Sequence, residues 1–223
     1  MDTVERNIMK AEYFNARNNA RKNYKLEVLG NREIKTLVTI LKLYDADYKI
    51  DGKVFVDVGC GDSYLKVPVE QNLMKYAGFD IGECDLISDQ MPLITESVDI
   101  LACYSVIEHL NDPSNLLTEA ARVLKSGGFL FIETPNWKYC STSFYDDYTH
   151  VKPYTTESLK SVLSDFGFDV LKLMPNVRCK SRLYHDSKHR FWIAKNLPLR
   201  GFGGMFSMLK GRSTGIFSLA RKP

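Results

Sequence analysis

The 223-residue sequence predicts an α/β protein, a doubly wound, mostly parallel sheet with N-terminal helices, and three observations carry that prediction. Short β-branched or apolar runs alternate with stretches of helical periodicity, the pattern of strands covered on both faces by helices. The turn "VDVGCGDS" follows the first internal run, where a strand gives way to a helix. With 44% hydrophobic residues the chain can fill one core of ordinary size and has little room for a second. One domain is therefore expected over 1–223, with N-terminal helices in 1–50, a ligand-binding core in 51–136 and the remainder in 137–223.

The segment up to about Gly30 is polar and reads as helical, with aromatics at Tyr13, Phe14 and Tyr24. A further helix is expected over 32–43, where "REIKTLVTILKL" spaces its apolar residues along one face. Strands are expected at 54–58, 76–79, 85–87, 98–104 and 129–133. Helices are expected at 113–124, with Asp112 as cap and Pro113 in the first helical position, and at 156–166. "GFDVLKLM" and "TGIFSLA" read as two final strands joined by a long irregular connection. The five cysteines, Cys60, Cys84, Cys103, Cys140 and Cys179, are scattered with no Cys-x-x-Cys pair. They read as buried or half-buried thiols, with neither a disulfide framework nor a zinc site implied.

No apolar run is long enough to span a bilayer, and the opening "MDTVERNIMK" lacks the apolar stretch of a secretory signal. A cytoplasmic location is expected. Charge is unevenly spread: in 171–223 twelve Lys/Arg face the single acid Asp186, whereas the other 18 basic residues meet 26 acidic ones. Such a block implies either an anionic partner or a solvated basic face. In "NLPLRGFGGMFSMLKGR", Phe202, Met205, Phe206, Met208 and Leu209 are interleaved with Arg200, Lys210 and Arg212. That pattern fits peripheral contact with an anionic inner membrane surface, or a loop that covers the sheet.

Ligands of a doubly wound sheet sit at the carboxyl ends of its strands. There Gly59 and Gly61 let the backbone turn and approach a ligand with no Cβ in the way. A dinucleotide fingerprint needs a third glycine at 64, which is Tyr64, and Asp62 would bring a carboxylate against a pyrophosphate. No Gly-Lys-Ser/Thr follows, so a phosphate-gripping Walker loop is excluded as well. A positively charged nucleoside without phosphates fits, and S-adenosyl-L-methionine is such a molecule. Asp80 in "YAGFDIGE" ends the second strand about twenty residues beyond the loop, the spacing of a carboxylate that accepts from ribose hydroxyls.

With "DQMPLITESVDILACYSVIEHLNDPSNLLTEAARVLKSGGFLFIETPN", these motifs resemble class I S-adenosylmethionine-dependent methyltransferases, in particular the ubiquinone-biosynthesis and sugar-modifying group, over about 53–136. The resemblance implies a Rossmann-like sheet of seven strands, the last antiparallel. It assigns Asp57 and the Gly59, Cys60 and Gly61 backbone to the methionine end of the cofactor, Asp80 to the ribose and Ile81 to the adenine. Asp89, Gln90 and Met91 match the stretch that reads the adenine edge, with Asp85 an alternative carboxylate; Met91 also reads as core packing. Tyr104 and Ser105 should line the pocket near the sulfonium, and Ser63 stands where the family usually has a third loop glycine.

A hydroxyl acceptor needs alignment with the methyl group and a proton acceptor nearby. His150, after a loop bearing Trp137, Tyr139, Tyr145 and Tyr148, is the candidate base, with Asp147 to orient its imidazole; the other reading is a histidine that pins the loop. His109 and Glu108 in "VIEHLND" read as loop hydrogen-bonding groups. His185 and His189 share a helical face but have no third ligand and lie beside Lys188 and Arg190, so no metal site is expected. "DDYTHVKPYTTESLKSVLSDFGF" and "GIFSLARKP" resemble methyltransferases of surface-polysaccharide pathways, which implies O-methylation of a glycan or glycolipid precursor, phosphate-bearing or lipid-linked. RNA methylation is the alternative raised by the basic block. Against a nucleic-acid partner stands the lack of an Asn/Asp-Pro-Pro-Tyr/Phe motif or an RNA-binding module. A non-catalytic cofactor-binding protein is the third reading.

Overall fold

The computed structural model describes residues 26–176 and 215–223. In chain order the elements are α1 (Leu26–Tyr44), β1 (Val54–Val58), α2 (Lys66–Gln71), β2 (Lys75–Phe79), β3 (Val98–Tyr104), α3 (Ser114–Val123), β4 (Leu124–Pro135), α4 (Trp137–Cys140), α5 (Thr156–Asp165), β5 (Asp169–Asn176) and β6 (Gly215–Arg221). Short 3-10 turns lie at Ile107–His109 and Phe144–Asp146.

The six described strands form one sheet in the order β2-β1-β3-β4-β6-β5. β1 pairs in parallel with β2 and β3, β3 pairs in parallel with β4, and β6 runs antiparallel to both β4 and β5. The chain therefore steps outward from β1 to the edge at β2 and then returns across β1 to β3. That reversal opens a crevice at the carboxyl ends of β1 and β3.

The side-chain period of two sorts the core into two layers. Val56, Val58, Leu101, Cys103, Leu130 and Ile132 meet α3 through Leu116, Leu117 and Ala120 and α5 through Leu159 and Leu163. Phe55, Ile100, Ala102, Phe129 and Phe131 meet Ile34, Leu37 and Leu41 of α1, with Val69 of α2. Both faces are thus covered, as the unbroken apolar runs require.

Three expectations are corrected. Residues 85–87 form turns, because the Asp85 carboxylate accepts the Ile87 N–H and the Asp85 carbonyl accepts from the N–H groups of Ser88 and Asp89. Local Asx hydrogen bonding outcompetes strand pairing there, and six strands are found among the described residues. The break expected near Gly30 is absent, since α1 runs through it; a Cβ there would strike the Tyr64 carbonyl, so the glycine serves close helix packing. Pro113 lies just outside α3, and the Asp112 carboxylate caps the helix by accepting the Ser114 N–H at 2.9 Å. The other helices and strands lie within a few residues of their expected places, although β4 begins five residues earlier, directly after α3. Cys60, Cys84, Cys103 and Cys140 are buried free thiols. No described helix is long and apolar enough to cross a membrane.

Candidate active site

The loop after β1 turns because Gly59 and Gly61 take φ values of 72° and 50°. A Cβ on Gly59 would run into Cγ2 of Val106, so the β3 loop lies directly against this turn. Ser63 also sits in the left-handed region, at φ 52°. The amides of Gly59 and Cys60 both donate to the Phe79 carbonyl, at 2.9 and 3.2 Å, tying the loop to the end of β2. Asp80 then bridges the two: its carboxylate accepts the Gly61 N–H at 2.9 Å and the Ile81 N–H at 2.7 Å. The structure thus brings Asp57, Gly59, Cys60, Gly61, Asp80 and Ile81 to the carboxyl ends of adjacent strands.

Asp57 is only 2% exposed, and burial raises its carboxyl from 3.8 to about 7; a hydrogen bond from the Tyr76 hydroxyl at 3.1 Å opposes the shift, and the charge of Asp80 adds to it. Strand alternation puts Asp57, Tyr104 and Glu133 on the α1-facing side of β1, β3 and β4. Tyr104 packs with its ring 6.2 Å from Phe217, and its buried hydroxyl has no hydrogen-bond partner. Ser105 follows at φ 54°, donating its N–H to the Glu133 carbonyl. Tyr76 and Glu133 were not singled out from the sequence; alternation along β4 points to Glu133, whereas Tyr76 depends on the register of β2 against β1. These groups fit a cationic nucleoside: a buried acid that a positive charge would ionise, an orphaned hydroxyl, and a glycine turn with a carboxylate at its rim.

The stretch 89–91, expected to read the adenine edge, is held by α3 and not by strand pairing. Glu119 accepts the Met91 N–H at 2.8 Å, and Arg122 donates to Glu119 and to the Met91 and Leu93 carbonyls. The Arg122 hydrogen bonds hold the Glu119 carboxyl below the usual range. Met91 itself is 2% exposed and packs in the core. Asp89 and Gln90 are exposed; the Asp89 carboxylate accepts the Asp85 N–H at 2.8 Å.

Across the crevice, the loops after β3 and β4 meet. The Glu108 carbonyl accepts the N–H groups of Val151 and Lys152, at 2.9 and 3.0 Å, fastening one loop to the other. Nδ1 of His150 donates to the Phe144 carbonyl at 2.7 Å, and its Nε2 lies 3.7 Å from the Asp147 carboxylate. The His150 imidazole thereby ties the loop to its own backbone six residues upstream. The His109 ring lies 4.8 Å from that of His150, and its Nδ1 donates to the Thr149 carbonyl at 3.0 Å. Glu108, fully buried, accepts from the Thr134 hydroxyl at 2.9 Å. Trp137, Phe144 and Tyr145 pack edge to face beside this cluster, and Tyr145 and Tyr148 are more than half exposed. His185, His189, the segment 196–212 and most of the basic block lie outside the described residues.

A family model described as a methyltransferase domain matches residues 31–173, well over half of the chain and the whole of this crevice. The chain belongs to that methyltransferase family. Membership bears out the resemblance to class I S-adenosylmethionine-dependent methyltransferases. Among curated relatives, the methyltransferase is 28% identical over 115 residues to a ubiquinone biosynthesis O-methyltransferase of Pseudomonas entomophila, covering 41% of this chain and 48% of the relative. A counterpart in Hydrogenovibrio crunogenus is 30% identical over 112 residues, covering 41% and 46%. The chain spans about half the length of the curated relatives it matches. Among solved structures, it resembles a SAM dependent methyltransferase from Archaeoglobus fulgidus with a TM-score of 0.57 and 21% identity, covering 84% of this chain and 94% of that one. That likeness shows the shared fold.

Proposed function

We propose that this methyltransferase moves the methyl group of S-adenosylmethionine onto a hydroxyl oxygen of a small-molecule acceptor, a sugar of a glycan or glycolipid precursor. The observation that carries the reading is the pairing of two unlike half-sites across one crevice: the Asp57, Gly59–Gly61 and Asp80 turn at β1 and β2, and the histidine and aromatic loops after β3 and β4. When bound, the cofactor supplies a methyl group already activated on a sulfonium. Asp57 would meet the positive charge, and Asp80 would accept from the ribose. Tyr104 and Ser105 would border the reacting end, with Ile81, Asp89, Gln90 and Met91 toward the adenine.

On the acceptor side the chain orients the hydroxyl, excludes water and receives a proton. His150 would take that proton on its second ring nitrogen, which lies 3.7 Å from the Asp147 carboxylate. Tyr145 and Tyr148 present exposed aromatic faces, the surfaces on which the C–H faces of a sugar ring stack. A phenolic acceptor is the second reading, favoured by the likeness to ubiquinone biosynthesis O-methyltransferases. Methyl-labelled S-adenosylmethionine, offered with nucleotide sugars, lipid-linked glycans, catechols and RNA, tests both. Label on a sugar oxygen supports the first reading and label on a catechol the second. Label on RNA overturns both, and cofactor binding with no transfer to any of them marks a binding protein on this fold.

A further inference from the structure

We infer that the cleft bounded by α4, α5 and β5 binds a phosphate or diphosphate group carried by the acceptor. Its volume is about 500 Å³, and Lys138, Lys160 and Lys172 line it from those three elements, with Glu157 the one carboxylate among the described lining residues. The lysine ion pairs among the described residues are those of Lys53, Lys125 and Lys222, so the three ammonium groups of the cleft are left for a ligand. Lysine binds phosphate as a point charge with rotatable donors. Asn136 adds a donor of another kind. It is 2% exposed and lines the same cleft; its side-chain oxygen accepts the Lys138 N–H at 3.2 Å, while its amide nitrogen has no hydrogen-bond partner among the described residues. A nearly buried N–H donor is costly to leave without an acceptor, and an anionic oxygen in the cleft would supply one. The Tyr44 hydroxyl donates to the Leu171 carbonyl, which fixes the end of α1 against β5 as a further wall.

The cleft shares a wall with the acceptor side of the crevice. The Trp137 N–H donates to the Tyr154 carbonyl at 2.8 Å and Asn136 bridges to Tyr154, so α4 is tied to the chain that leads from the His150 loop into α5. Trp137 packs against Phe144 and Tyr145, and the Phe144 ring lies 4.6 Å from that of His150, while the next two residues, Lys138 and Tyr139, line the cleft. A single helical turn thus separates the acceptor aromatics from the lysines. A sugar with its hydroxyl in the crevice and its phosphate in the cleft straddles α4, and the two contacts together fix which hydroxyl meets the methyl group. A free phenol leaves the lysines unused, so the cleft favours the sugar reading of the acceptor and narrows it to phosphate-bearing sugars.

The inference rests on the methyl-transfer reading, and the experiment keeps the two apart. The full chain is titrated by calorimetry with inorganic pyrophosphate and, separately, with S-adenosylmethionine. Saturable pyrophosphate binding is expected. Lys160→Gln and Lys172→Gln should each weaken it by about tenfold, the low end for a hydrogen bond to a charged group, whereas Lys35→Gln, an exposed α1 position outside the cleft, should leave it unchanged. Asn136→Asp keeps the oxygen that accepts from Lys138 and puts a carboxylate in place of the unpaired donor, so it should abolish pyrophosphate binding. Every variant should bind S-adenosylmethionine as the wild type does, which also reports that it folds. Uridine diphosphate and farnesyl diphosphate then separate the sources of the group: tighter binding of the first marks a nucleotide sugar, and tighter binding of the second a lipid-linked one. Binding of both more than about tenfold weaker than that of pyrophosphate shows that the cleft rejects esterified phosphate and overturns the acceptor role. A wild-type chain that binds S-adenosylmethionine but not pyrophosphate overturns the phosphate site alone. One that binds pyrophosphate but not S-adenosylmethionine overturns the methyl-transfer reading. Pyrophosphate affinity unchanged in Asn136→Asp, Lys160→Gln and Lys172→Gln puts the anion elsewhere and overturns this assignment.

Discussion

Replacing Asp57 with asparagine should stabilise the protein at high pH while weakening its hold on the cofactor. The carboxyl, 2% exposed, ionises at about 7 in the folded protein against 3.8 as its ordinary value, chiefly through burial. Between those values the native state holds a proton that the unfolded chain has released, so stability falls as pH rises through the window and the loss is complete above about 7. Fully ionised, the buried group costs the fold on the order of 4 kcal/mol. Asparagine escapes that cost and still accepts from the Tyr76 hydroxyl. Its advantage over the wild type should grow by about 2–3 kcal/mol between pH 5 and pH 8, or about 5–10 °C in Tm for a chain of this size. Cofactor binding runs the other way: a cationic ligand favours the carboxylate, so wild-type affinity should rise about tenfold from pH 6 to pH 8, and the variant's should stay flat. Thermal melts and calorimetry at matched ionic strength measure both. A Tm difference of the same size at pH 5 and pH 8 would refute the reasoning, because it would mean that Asp57 does not titrate in this window.

Three further outcomes are expected. Asp80→Ala should weaken S-adenosylmethionine binding by about 1.5–3 kcal/mol, and an unchanged Kd in a folded variant would show that the carboxylate does not face the ligand. His150→Ala should lower turnover sharply while cofactor affinity holds; a drop in Tm with specific activity retained would leave only the loop-pinning role. Gly59→Ala should cost about 2–4 kcal/mol, from the positive φ together with the clash against Val106, and adding Val106→Ala should recover only the clash. Strict additivity of the two substitutions would mean that the side chains never meet.

The turn proposed to hold the cofactor was legible as a structure in the sequence because its signals are local. Two glycines after a β-branched strand, and an aspartate at the end of the next, fix a turn and its rim whatever the rest of the fold does. The stretch at 85–91 misled because Asp85 and Asp89 satisfy nearby amides themselves, and the apolar Leu86 and Ile87 between them read as a strand. The acceptor half was less legible. Glu108 and His109 read as loop residues and His150 as a base paired with Asp147, since nothing in the sequence reveals that the Glu108 carbonyl will accept from two amides 43 and 44 residues further along the chain. Tyr76 was missed for a related reason: its role depends on strand register, which puts β2 beside β1 with Asp57 opposite Gly78.

One short segment, the loop leaving β3, serves both halves of the crevice. Ser105 holds a left-handed φ of 54°, its N–H anchored on Glu133 of the neighbouring strand, and the chain turns sharply at that point. One residue later Val106 fills the space that the missing Cβ of Gly59 leaves open, so the cofactor turn and the β3 loop can be close only because position 59 has no side chain. Two residues further, Glu108 and His109 reach the cluster around His150. In the proposed reading, a methyl donor on one side and an acceptor on the other are thus registered by the five residues 105–109 at one strand end. The strained φ at Ser105 makes sense in this setting, because a relaxed backbone there would swing Val106 off the glycine turn and Glu108 off the Thr134 hydroxyl together.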